Sequence, residues 1–324
     1  MASFDDLGHE EFELLARLSI GYYEDGLTQE ALAQRFGLSR PKVQRMLDRA
    51  RATGVVDIRI STPPWLHVDL ERELRERFGL DEVIVAARRP DPQAQREEVA
   101  RAAARHLERT LVDGAVVAVS HGRDTGEVPR FFNPGRRIAA TFVSAMGGSP
   151  RADSPTNPNE IVRRLADRSG GQAMGLYAPA HVESERMRDD LLRQAAVAET
   201  LRAAAGASVA LLGIGGTDDG CTMVASGCFP VEEIRRLRAA CAVGDVLGND
   251  VDVEGRSLES PETGRLVGLD LDELHAIDRV VVVVSETEKP FAILGVLRTG
   301  VVDVLVVDEG NARFLVGQAR NGSD

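Results

Sequence analysis

The chain has 324 residues and a formal net charge of −12, and 43% of its residues are hydrophobic. This length allows one large domain and one small one, and the composition predicts a packed core rather than wholesale disorder. No apolar run approaches the roughly 20 residues that span a bilayer, and the acidic N-terminus has no signal-peptide pattern, so we expect a cytoplasmic protein without a membrane partner. Three cysteines without C-x-x-C spacing predict buried reduced thiols and no structural metal.

Residues 28–60, TQEALAQRFGLSRPKVQRMLDRARATGVVDIRI, predict a helix-turn-helix followed by a short strand. Thr28 and Ser39 suit the N-cap positions of the two helices, Gly37 suits the turn between them, and Pro41 falls in a first helical turn, where a missing N–H costs little. Apolar residues at helical spacing predict the inner faces: Leu32, Phe36, Val43, Met46, Leu47 and Ala50. The alternating residues of the predicted strand are Val56, Ile58 and Ile60. A preceding helix is predicted over 11–24, with these residues inward: Leu15, Leu18 and Tyr22.

The outer face of the second helix is basic. From Ser39 to Arg51 there are five basic residues and one acid, Asp48, which gives a local charge of +4 in an acidic chain. A small hairpin with a solvated basic face is the alternative, but the helix-turn-helix pattern favours binding of double-stranded operator DNA. The residues that we expect to face bases are Arg40, Lys42, Gln44 and Arg45. The residues that we expect to contact phosphates are Thr28, Gln29, Arg49 and Arg51, and Ser39 and Pro41 belong to the same surface.

Pro63-Pro64 predicts a boundary after the DNA-binding domain. Beyond it, a charged helix with Leu70, Leu74 and Phe78 on one face could connect the domains or pair with its copy in a second subunit. The predicted divisions are a DNA-binding domain over 1–62, a linker and connecting helix over 63–80, an effector domain over 81–317 and a polar tail over 318–324.

From Glu82 onward the pattern alternates between strands and helices. Near-continuous Val, Ile and Ala runs indicate strands buried on both faces, so the fold class is α/β: a small all-α helix-turn-helix domain followed by a mostly parallel α/β domain. The predicted strands cover 82–87, 115–120, 138–146, 208–215, 279–285 and 303–308. The predicted helices cover 96–111, 159–168, 185–205, 231–239 and 290–297.

Ligands of such sheets bind beyond the carboxyl ends of the strands. The glycine loop 120–126 follows a predicted strand, and Arg123 and Thr125 add donors that suit a phosphate or a polyhydroxylated ligand. An ordinary glycine-rich turn is the alternative. The loop 146–149 has the same two interpretations. His121 could donate to a phosphate or simply pack.

Three further loops follow strands. The loop 213–218 lacks the third spaced glycine of a dinucleotide fingerprint, so a nucleotide site there is not expected. The loop 249–256 lacks the distal Glu of a calcium loop, and we interpret it as a turn in which one acid accepts bonds from sugar hydroxyls. The loop 285–290 contains Lys289, one of only two lysines, which supplies a compact charge or an amine unless its position is fortuitous. His106 and His181 have no acid or cysteine at metal-ligand spacing, so neither is predicted to bind a metal.

Several motifs in order give the chain its resemblance to the SorC-type sugar-binding transcriptional regulators: YYEDGLTQEALAQRFGLSRPKVQRMLDRARATGVVDIRI, HGRDT, LYAPAHVESERMRDDLL, SVALLGIGG, AVGDVLGNDVDVEG and EKPFAILGVLRTGVVDVLVVDEGNARFLV. The resemblance covers nearly the whole chain. It implies an effector domain similar to glucosamine-6-phosphate deaminases and ribose-5-phosphate isomerases, which senses a sugar phosphate or derivative, and assembly as homodimers or homotetramers on operators. The effector positions that it implies are Gly122 to Thr125 (Gly122, Arg123, Asp124 and Thr125), Gly147, Gly148, Asp252 and Lys289, beside His121 and Ser149 of the same loops.

Two departures from the family pattern add negative charge: Asp124 in the first loop, and Glu286-Thr287 in place of Gly-Gly before the lysine. A carboxylate beside a phosphate is repulsive unless it binds hydroxyls or pairs with Arg123, so we expect a singly phosphorylated effector or an uncharged polyol. The leading hypothesis is a ligand-controlled regulator on an inverted-repeat operator, without a cofactor. The alternatives are a sugar-phosphate isomerase or deaminase fused to a DNA-binding domain, for which the sequence shows no compact acid–base set, and a constitutive DNA-binding protein with a vestigial pocket.

Overall fold

The computed structural model describes residues 8–58, 63, 66–151, 154–258, 263–285 and 289–320. The chain divides into two compact units, residues 1–61 and 62–324. The first unit is helical and the second is built around a parallel sheet. This division agrees in kind with the predicted α/β architecture.

The N-terminal unit consists of three α-helices and one π-helical turn: α1 (His9–Ser19), the π-helical turn (Ile20–Glu24), α2 (Gln29–Phe36) and α3 (Arg40–Ala52). Helix α3 packs against α1 and α2. The buried core of this unit comprises Leu18, Leu32, Ala33, Val43 and Leu47. Four of the predicted inner-face residues, Leu32, Val43, Leu47 and Ala50, are buried, and Phe36 and Met46 are half-buried.

Three of the four local signals of the helix-turn-helix act as predicted, including Pro41, which lies in the first turn of α3. Thr28 caps α2, because its hydroxyl accepts a hydrogen bond from the backbone N–H of Ala31 at 3.2 Å. Gly37 ends α2 with φ of 64°, a left-handed conformation that favours glycine. Ser39 occupies the N-cap position of α3 in an extended conformation, but its side chain makes no capping hydrogen bond.

Two expectations for this unit are wrong. The helix predicted over 11–24 changes to π-helical geometry at Ile20, next to Gly21, where an added Cβ would lie 2.7 Å from Cδ2 of Leu32. Tyr22 therefore does not face inward; it is exposed and lies edge-to-face against Tyr23. Val56 and Ile58 do not form the predicted strand, and Ile60 lies outside the described residues.

The second unit contains a seven-stranded sheet in the order β1-β10-β9-β5-β2-β3-β4, and all of its pairings are parallel. Its strands are β1 (Glu82–Ala86), β2 (Val116–Val119), β3 (Thr141–Ser144), β4 (Gln172–Met174), β5 (Val209–Leu212), β9 (Val280–Val284) and β10 (Val304–Asp308). All six predicted strands are present in it, and β4 was not predicted.

Helices cover both faces of this sheet. They are α4 (Val68–Phe78), α5 (Pro92–Thr110), α6 (Arg123–Phe131), α7 (Pro158–Ser169), α8 (Glu185–Leu192), α9 (Ala195–Ala205), α10 (Thr222–Ala225), α11 (Val231–Ala239), α12 (Leu271–His275), α13 (Pro290–Arg298) and α14 (Glu309–Arg320). The helix predicted over 185–205 is two helices, because Gln194 is extended and interrupts it. Helix α14 also includes the first three residues of the predicted polar tail, and 321–324 lie outside the described residues.

The core follows from the alternation of side chains along each strand. In β9, Val281 and Val283 belong to one buried cluster, and Val280, Val282 and Val284 belong to the cluster on the opposite face. Valine on both faces explains why this strand reads as a continuous apolar run. Helix α4 packs on β1 and α14, so the helix predicted to connect domains or pair between subunits is part of this unit.

A second, antiparallel sheet has the order β6-β7-β8 and was not predicted as such. Its strands are β6 (Ile214–Gly216), β7 (Gly244–Val246) and β8 (Asn249–Val251). Gly244 allows β7 to approach α13, since an added Cβ would lie 2.4 Å from Cβ of Ala292. This small sheet therefore lies directly beside the start of α13.

Candidate functional site

The parallel sheet has a topological switch point between β2 and β5. From β2 the chain continues to β3 and β4 on one side, and from β5 it continues to β9 and β10 on the other. Connections that diverge in this way leave a crevice beyond the carboxyl ends of the two central strands. A small cleft with a volume of about 30 Å³ lies there, and we call it the switch-point cleft.

The switch-point cleft brings together loops that are distant in sequence. The predicted residues that line it are His121, Gly122, Arg123, Asp124 and Lys289. The small antiparallel sheet contributes Gly215, Gly216 and Asp245, and apolar side chains come from Met146, Cys221, Met223 and Leu247. The cleft thus combines cationic donors, carboxylate acceptors and apolar walls, a combination that suits a small hydroxylated ligand.

Lys289 lies at the N-cap position of α13 and is only 5% exposed. Its Nζ donates a hydrogen bond to the carbonyl oxygen of Ile214 at 2.9 Å. The aliphatic part of the side chain passes over Gly216, where an added Cβ would lie 3.1 Å from Cε of Lys289. The lysine that the sequence singled out is therefore held inside the cleft rather than on the surface.

Asp245 lines the cleft beside Lys289 and was not a candidate from the sequence. Burial raises the pKa of its carboxyl group, while the backbone N–H of Gly248 (2.8 Å from Oδ2) and the charge of Lys289 act in the opposite direction. Gly215 provides the space for this carboxyl group, because an added Cβ would lie 1.7 Å from Oδ1. In the sequence, Asp245 stands between Gly244 and Val246 in a motif with several other acids, and no pattern distinguishes it from them.

His121 follows β2 and faces the same cleft. Burial, followed by the charge of Lys289, lowers the pKa of its imidazole to about 4. Its Nε2 is buried and has no hydrogen-bond partner among the described residues. The ring is consequently neutral near pH 7 and can offer one nitrogen to a ligand.

Asp124 is fixed by neighbours outside the loop. Its Oδ1 accepts a hydrogen bond from the Ser285 hydroxyl at 2.5 Å, and it lies 3.5 Å from Nε of Arg96. The sequence suggested pairing with Arg123 or with ligand hydroxyls; the structure adds Arg96 of α5 and Ser285 after β9 as partners that the sequence did not suggest. These contacts compensate the carboxylate, so the expected repulsion of a phosphate is weakened. Glu286 and Thr287 lie outside the described residues.

Thr125 lies behind the cleft rather than on its wall. Its side chain is fully buried, and its Oγ1 would lie 2.8 Å from a Cβ added to Gly122. Gly122 is needed for this close packing. The amino terminus of α6 follows directly, so its partial positive charge points into the cleft at Arg123.

The loop 146–149 does not present its predicted residues to the cleft. The N–H of Gly147 donates to the carbonyl of Val267, and the N–H of Gly148 donates to Ala178, both at 2.8 Å. The Ser149 hydroxyl donates to the carbonyl of Arg151 at 3.2 Å. These donors are used within the fold, which supports the interpretation of this loop as an ordinary glycine-rich turn.

Asp252 does not line the cleft either. Its carboxylate accepts bonds from the backbone N–H and from Nε of Arg256, at 2.8 and 2.9 Å. Asp252 belongs to a turn, as interpreted, although residues 249–251 of the predicted turn form β8. The hydrogen bonds to its carboxylate come from the turn itself and not from a ligand. Of the three cysteines, Cys221 is buried, Cys228 is half-buried and Cys241 is exposed, so the prediction of burial is wrong for Cys241.

Most of the predicted DNA-binding residues lie on the surface of the N-terminal unit. Those that are exposed are Thr28, Ser39, Arg40, Pro41, Lys42, Arg45, Arg49 and Arg51, and Gln29 and Gln44 are half-buried. Within the described part of the chain, Arg40 and Lys42 form no ion pair. Their charges thus remain available to a polyanion.

Several side chains of this surface are engaged with one another. Gln29 donates to Gln44, and Gln44 donates from Nε2 to both carboxylate oxygens of Asp48 at 3.1 Å. Arg51 also pairs with Asp48, and Arg49 pairs with Glu11 at 3.0 Å. Exposed pairs of this kind contribute little to stability because solvent screens them, so they can exchange for phosphate contacts.

A helix-turn-helix unit with a basic recognition helix, joined to an α/β unit with a polar cleft at its switch point, defines a ligand-binding transcriptional regulator. The family model described as "Putative sugar-binding domain" matches residues 63–317. The chain therefore belongs to the family of sugar-binding transcriptional regulators, as the resemblance implied. Its DNA-binding activity is under the control of a carbohydrate effector.

Individual relatives agree with this assignment. The erythritol catabolism regulatory protein EryD of Brucella abortus is 29% identical over 98% of this chain and 99% of its own. The crystal structure of a sugar-binding domain of a transcriptional repressor from Vibrio fischeri is 35% identical, covers 78% of this chain and all of its own, and has a TM-score of 0.73. The full-length sorbitol operon regulator SorC from Klebsiella pneumoniae shares the fold over 95% of this chain and 99% of its own, with 23% identity and a TM-score of 0.73.

Among the helices that the structure describes, none is long and apolar enough to cross a membrane.

Proposed function

We propose that the switch-point cleft is the effector site, and that its ligand is a small polyol or a singly phosphorylated sugar derivative. The observation that carries the proposal is the convergence of Lys289 and Asp245 on the amino terminus of α6. An ammonium group and a helix amino terminus donate to oxygen, and the buried carboxyl group accepts from hydroxyls. The relative from Brucella abortus is named for catabolism of the four-carbon polyol erythritol, and this supports the same chemical class.

The roles of the lining residues follow from their positions. Lys289 and Asp245 would orient hydroxyl or phosphate oxygens, and neutral His121 would offer its unpartnered Nε2 to a hydroxyl. Arg123 and the first N–H groups of α6 would take the more acidic end of the ligand. Asp252, Gly147 and Gly148, which the resemblance implied, and Ser149 of the same loop do not line the cleft and are not assigned a direct contact.

The first experiment is thermal unfolding of the full-length protein with erythritol, other polyols, sugars and their phosphates. A ligand at about 100 times its Kd stabilises the folded state by about 2.7 kcal/mol. We expect Asp245→Asn to remove the stabilisation and Asp252→Asn to retain it, since both acids are in the same unit but only Asp245 lines the cleft. A ligand response that survives Asp245→Asn and disappears in Asp252→Asn would refute the assignment.

For the DNA, we propose that Arg40, Lys42, Gln44 and Arg45 read bases, and that Thr28, Gln29, Arg49 and Arg51 contact phosphates. Proteins of this class read paired half-sites as symmetric oligomers, so we propose a homodimer or homotetramer on an inverted repeat. Effector binding would favour one arrangement of subunits in proportion to its differential affinity for the two arrangements. Light scattering with and without effector, together with footprinting of the operator, tests both statements.

We infer that the cleft binds its ligand without catalysing a reaction of it. The sequence assigned His121 and Lys289 to one effector site, and the fold adds Asp245 to them, which the sequence did not indicate. A turnover assay with pentose and amino-sugar phosphates tests the inference. Product formation that is lost in Asp245→Asn would establish the isomerase or deaminase alternative instead.

A further inference from the structure

A second cleft opens at the same edge of the main sheet. It has a volume of about 650 Å³ and lies beyond the ends of β1, β9 and β10. Four guanidinium groups line it, and we call it the arginine cleft: Arg88, Arg89, Arg96 and Arg123. Only Arg123 also lines the switch-point cleft. The other three arginines have no part in the effector site proposed above.

Three helices begin at the arginine cleft. It is lined by Pro92 at the first position of α5, Arg123 at the first position of α6 and Gly310 at the second position of α14. Each helix amino terminus carries a partial positive charge, but Asp91 and Asp308 already accept hydrogen bonds from backbone N–H groups of α5 and α14. The amino terminus of α6 has no side-chain cap, and together with the arginines it favours an anion.

The loop that carries Arg88 and Arg89 is held in place by a buried glutamine. Gln95 is 6% exposed; its Oε1 accepts from the N–H of Arg89 at 2.7 Å, and its Nε2 donates to the carbonyl of Ala87 at 3.1 Å. Asp91 caps the following helix by accepting from the N–H of Ala94 at 2.9 Å. The backbone between β1 and α5 is thus ordered before any ligand arrives, so binding does not have to order it.

The carboxylates that line the cleft already accept hydrogen bonds from the protein. Besides Asp91, Asp218 accepts from the N–H of Gly220 at 2.9 Å, and Asp308 accepts from the N–H and side chain of Asn311. Among the arginines, Arg89 pairs with Glu98 at 2.7 Å and Arg96 lies 3.5 Å from Asp124. Arg88 forms no ion pair with any residue that the structure describes.

We propose that the arginine cleft is an anion site that binds a phosphate group. The planar donor forks of arginine match phosphate oxygens, and the amino terminus of α6 adds backbone donors at fixed positions. The phosphate is either a free phosphate or phosphate ester, or the phosphorylated end of the effector itself. Three of the four arginines do not line the switch-point cleft, so variants can test the two clefts separately.

The test is calorimetric titration of the full-length protein with inorganic phosphate at constant ionic strength. We expect saturable binding that Arg88→Gln weakens by at least about tenfold, because a charge-assisted contact is lost. Arg96→Gln, the second variant, should weaken it comparably. The matched control is Arg105→Gln, an exposed arginine on the same helix as Arg96 that does not line the cleft, and it should leave phosphate affinity unchanged.

Three results would overturn the proposal: no saturable phosphate binding by the wild type, wild-type affinity in both Arg88→Gln and Arg96→Gln, or loss of phosphate binding in Asp245→Asn instead. The last result would assign the anion to the switch-point cleft. Conversely, phosphate binding that depends on Arg88 without any polyol response would support this site and contradict the proposed effector.

The same variants identify the source of the phosphate. If the effector carries it, Arg88→Gln should reduce the affinity for a polyol phosphate to that for the parent polyol. If the phosphate is a separate ligand, protein saturated with a polyol phosphate should still bind inorganic phosphate, and Arg88→Gln should weaken that binding; if the effector carries the phosphate, the polyol phosphate should block inorganic phosphate. Both results support an anion in the arginine cleft and differ only in what delivers it.

Discussion

Lys289 donates a hydrogen bond from Nζ to the carbonyl oxygen of Ile214, and the two atoms lie 2.9 Å apart in a buried position. This bond joins the start of α13 to strand β6, so the small antiparallel sheet and the helix are tied together at the switch-point cleft. A ligand that engages Lys289 therefore acts on both elements at once.

Replacing Lys289 by Met should remove the effector response and destabilise the fold. The carbonyl of Ile214 would lose its partner, and an unsatisfied buried group costs about 1–3 kcal/mol. Lys42→Met is the matched control, since the only other lysine is exposed on α3. Urea unfolding with and without the polyol panel measures both effects, and an unchanged effector response in Lys289→Met would contradict the assigned role.

Gly215→Ala should disrupt the cleft, whereas Gly213→Ala should be tolerated. The new Cβ at 215 would lie 1.7 Å from Oδ1 of Asp245, so the carboxyl group or strand β6 must move. At 213 the nearest atom, Cγ2 of Thr125, lies 3.7 Å away, an ordinary contact distance. We expect a lower melting temperature for Gly215→Ala only; equal melting temperatures for the two variants would contradict the packing described for Asp245.

His121 should make stability fall as the pH is lowered. Its pKa is about 4 in the folded state and about 6.5 when unfolded. Above pH 6.5 the ring is neutral in both states and contributes nothing. Between pH 6.5 and 4 only the unfolded state takes up the proton, so the folded state loses stability, by about 2 kcal/mol at pH 5.

The measurement is the free energy of unfolding in urea at pH 7 and pH 5. His121→Gln should lose less stability than the wild type between the two, while His275→Gln, at an exposed histidine, should behave like the wild type. The difference between variants isolates His121 from the buried His106, whose pKa burial also lowers. Identical losses in wild type and His121→Gln would show that this ring is not desolvated.

Arg45→Ala should weaken specific operator binding by about 1–3 kcal/mol if this exposed side chain of α3 reads a base. Arg17→Ala is the control, because Arg17 lies on α1 in an exposed ion pair with Glu13. Fluorescence anisotropy with operator and scrambled DNA, over a range of salt concentrations, provides the measurement. An equal loss on both DNAs with a smaller salt slope would make Arg45 a phosphate contact.

Part of the secondary structure of this protein can be predicted from short-range signals in its sequence. Thr28, Gly37 and the apolar spacing of α2 and α3 are short-range signals, so the helix-turn-helix follows from them. The buried valines of β9 and β10 likewise predict parallel strands, because only strands covered on both faces are apolar throughout. The loop after β2 and Lys289 were found because both stand beside strand ends.

The tertiary structure alone decided which of these loops meet. Asp245 joins Lys289 because the order of the strands opens the sheet between β2 and β5 and the small antiparallel sheet lies beside that point; no local pattern contains this information. Asp252 and Gly147 carry similar chemistry in sequence, yet their polar groups are used by neighbours that only the fold supplies. The arginine cleft depends in the same way on three helices that begin at one place. Sequence determines which groups are available, and long-range packing determines which of them remain open to a ligand.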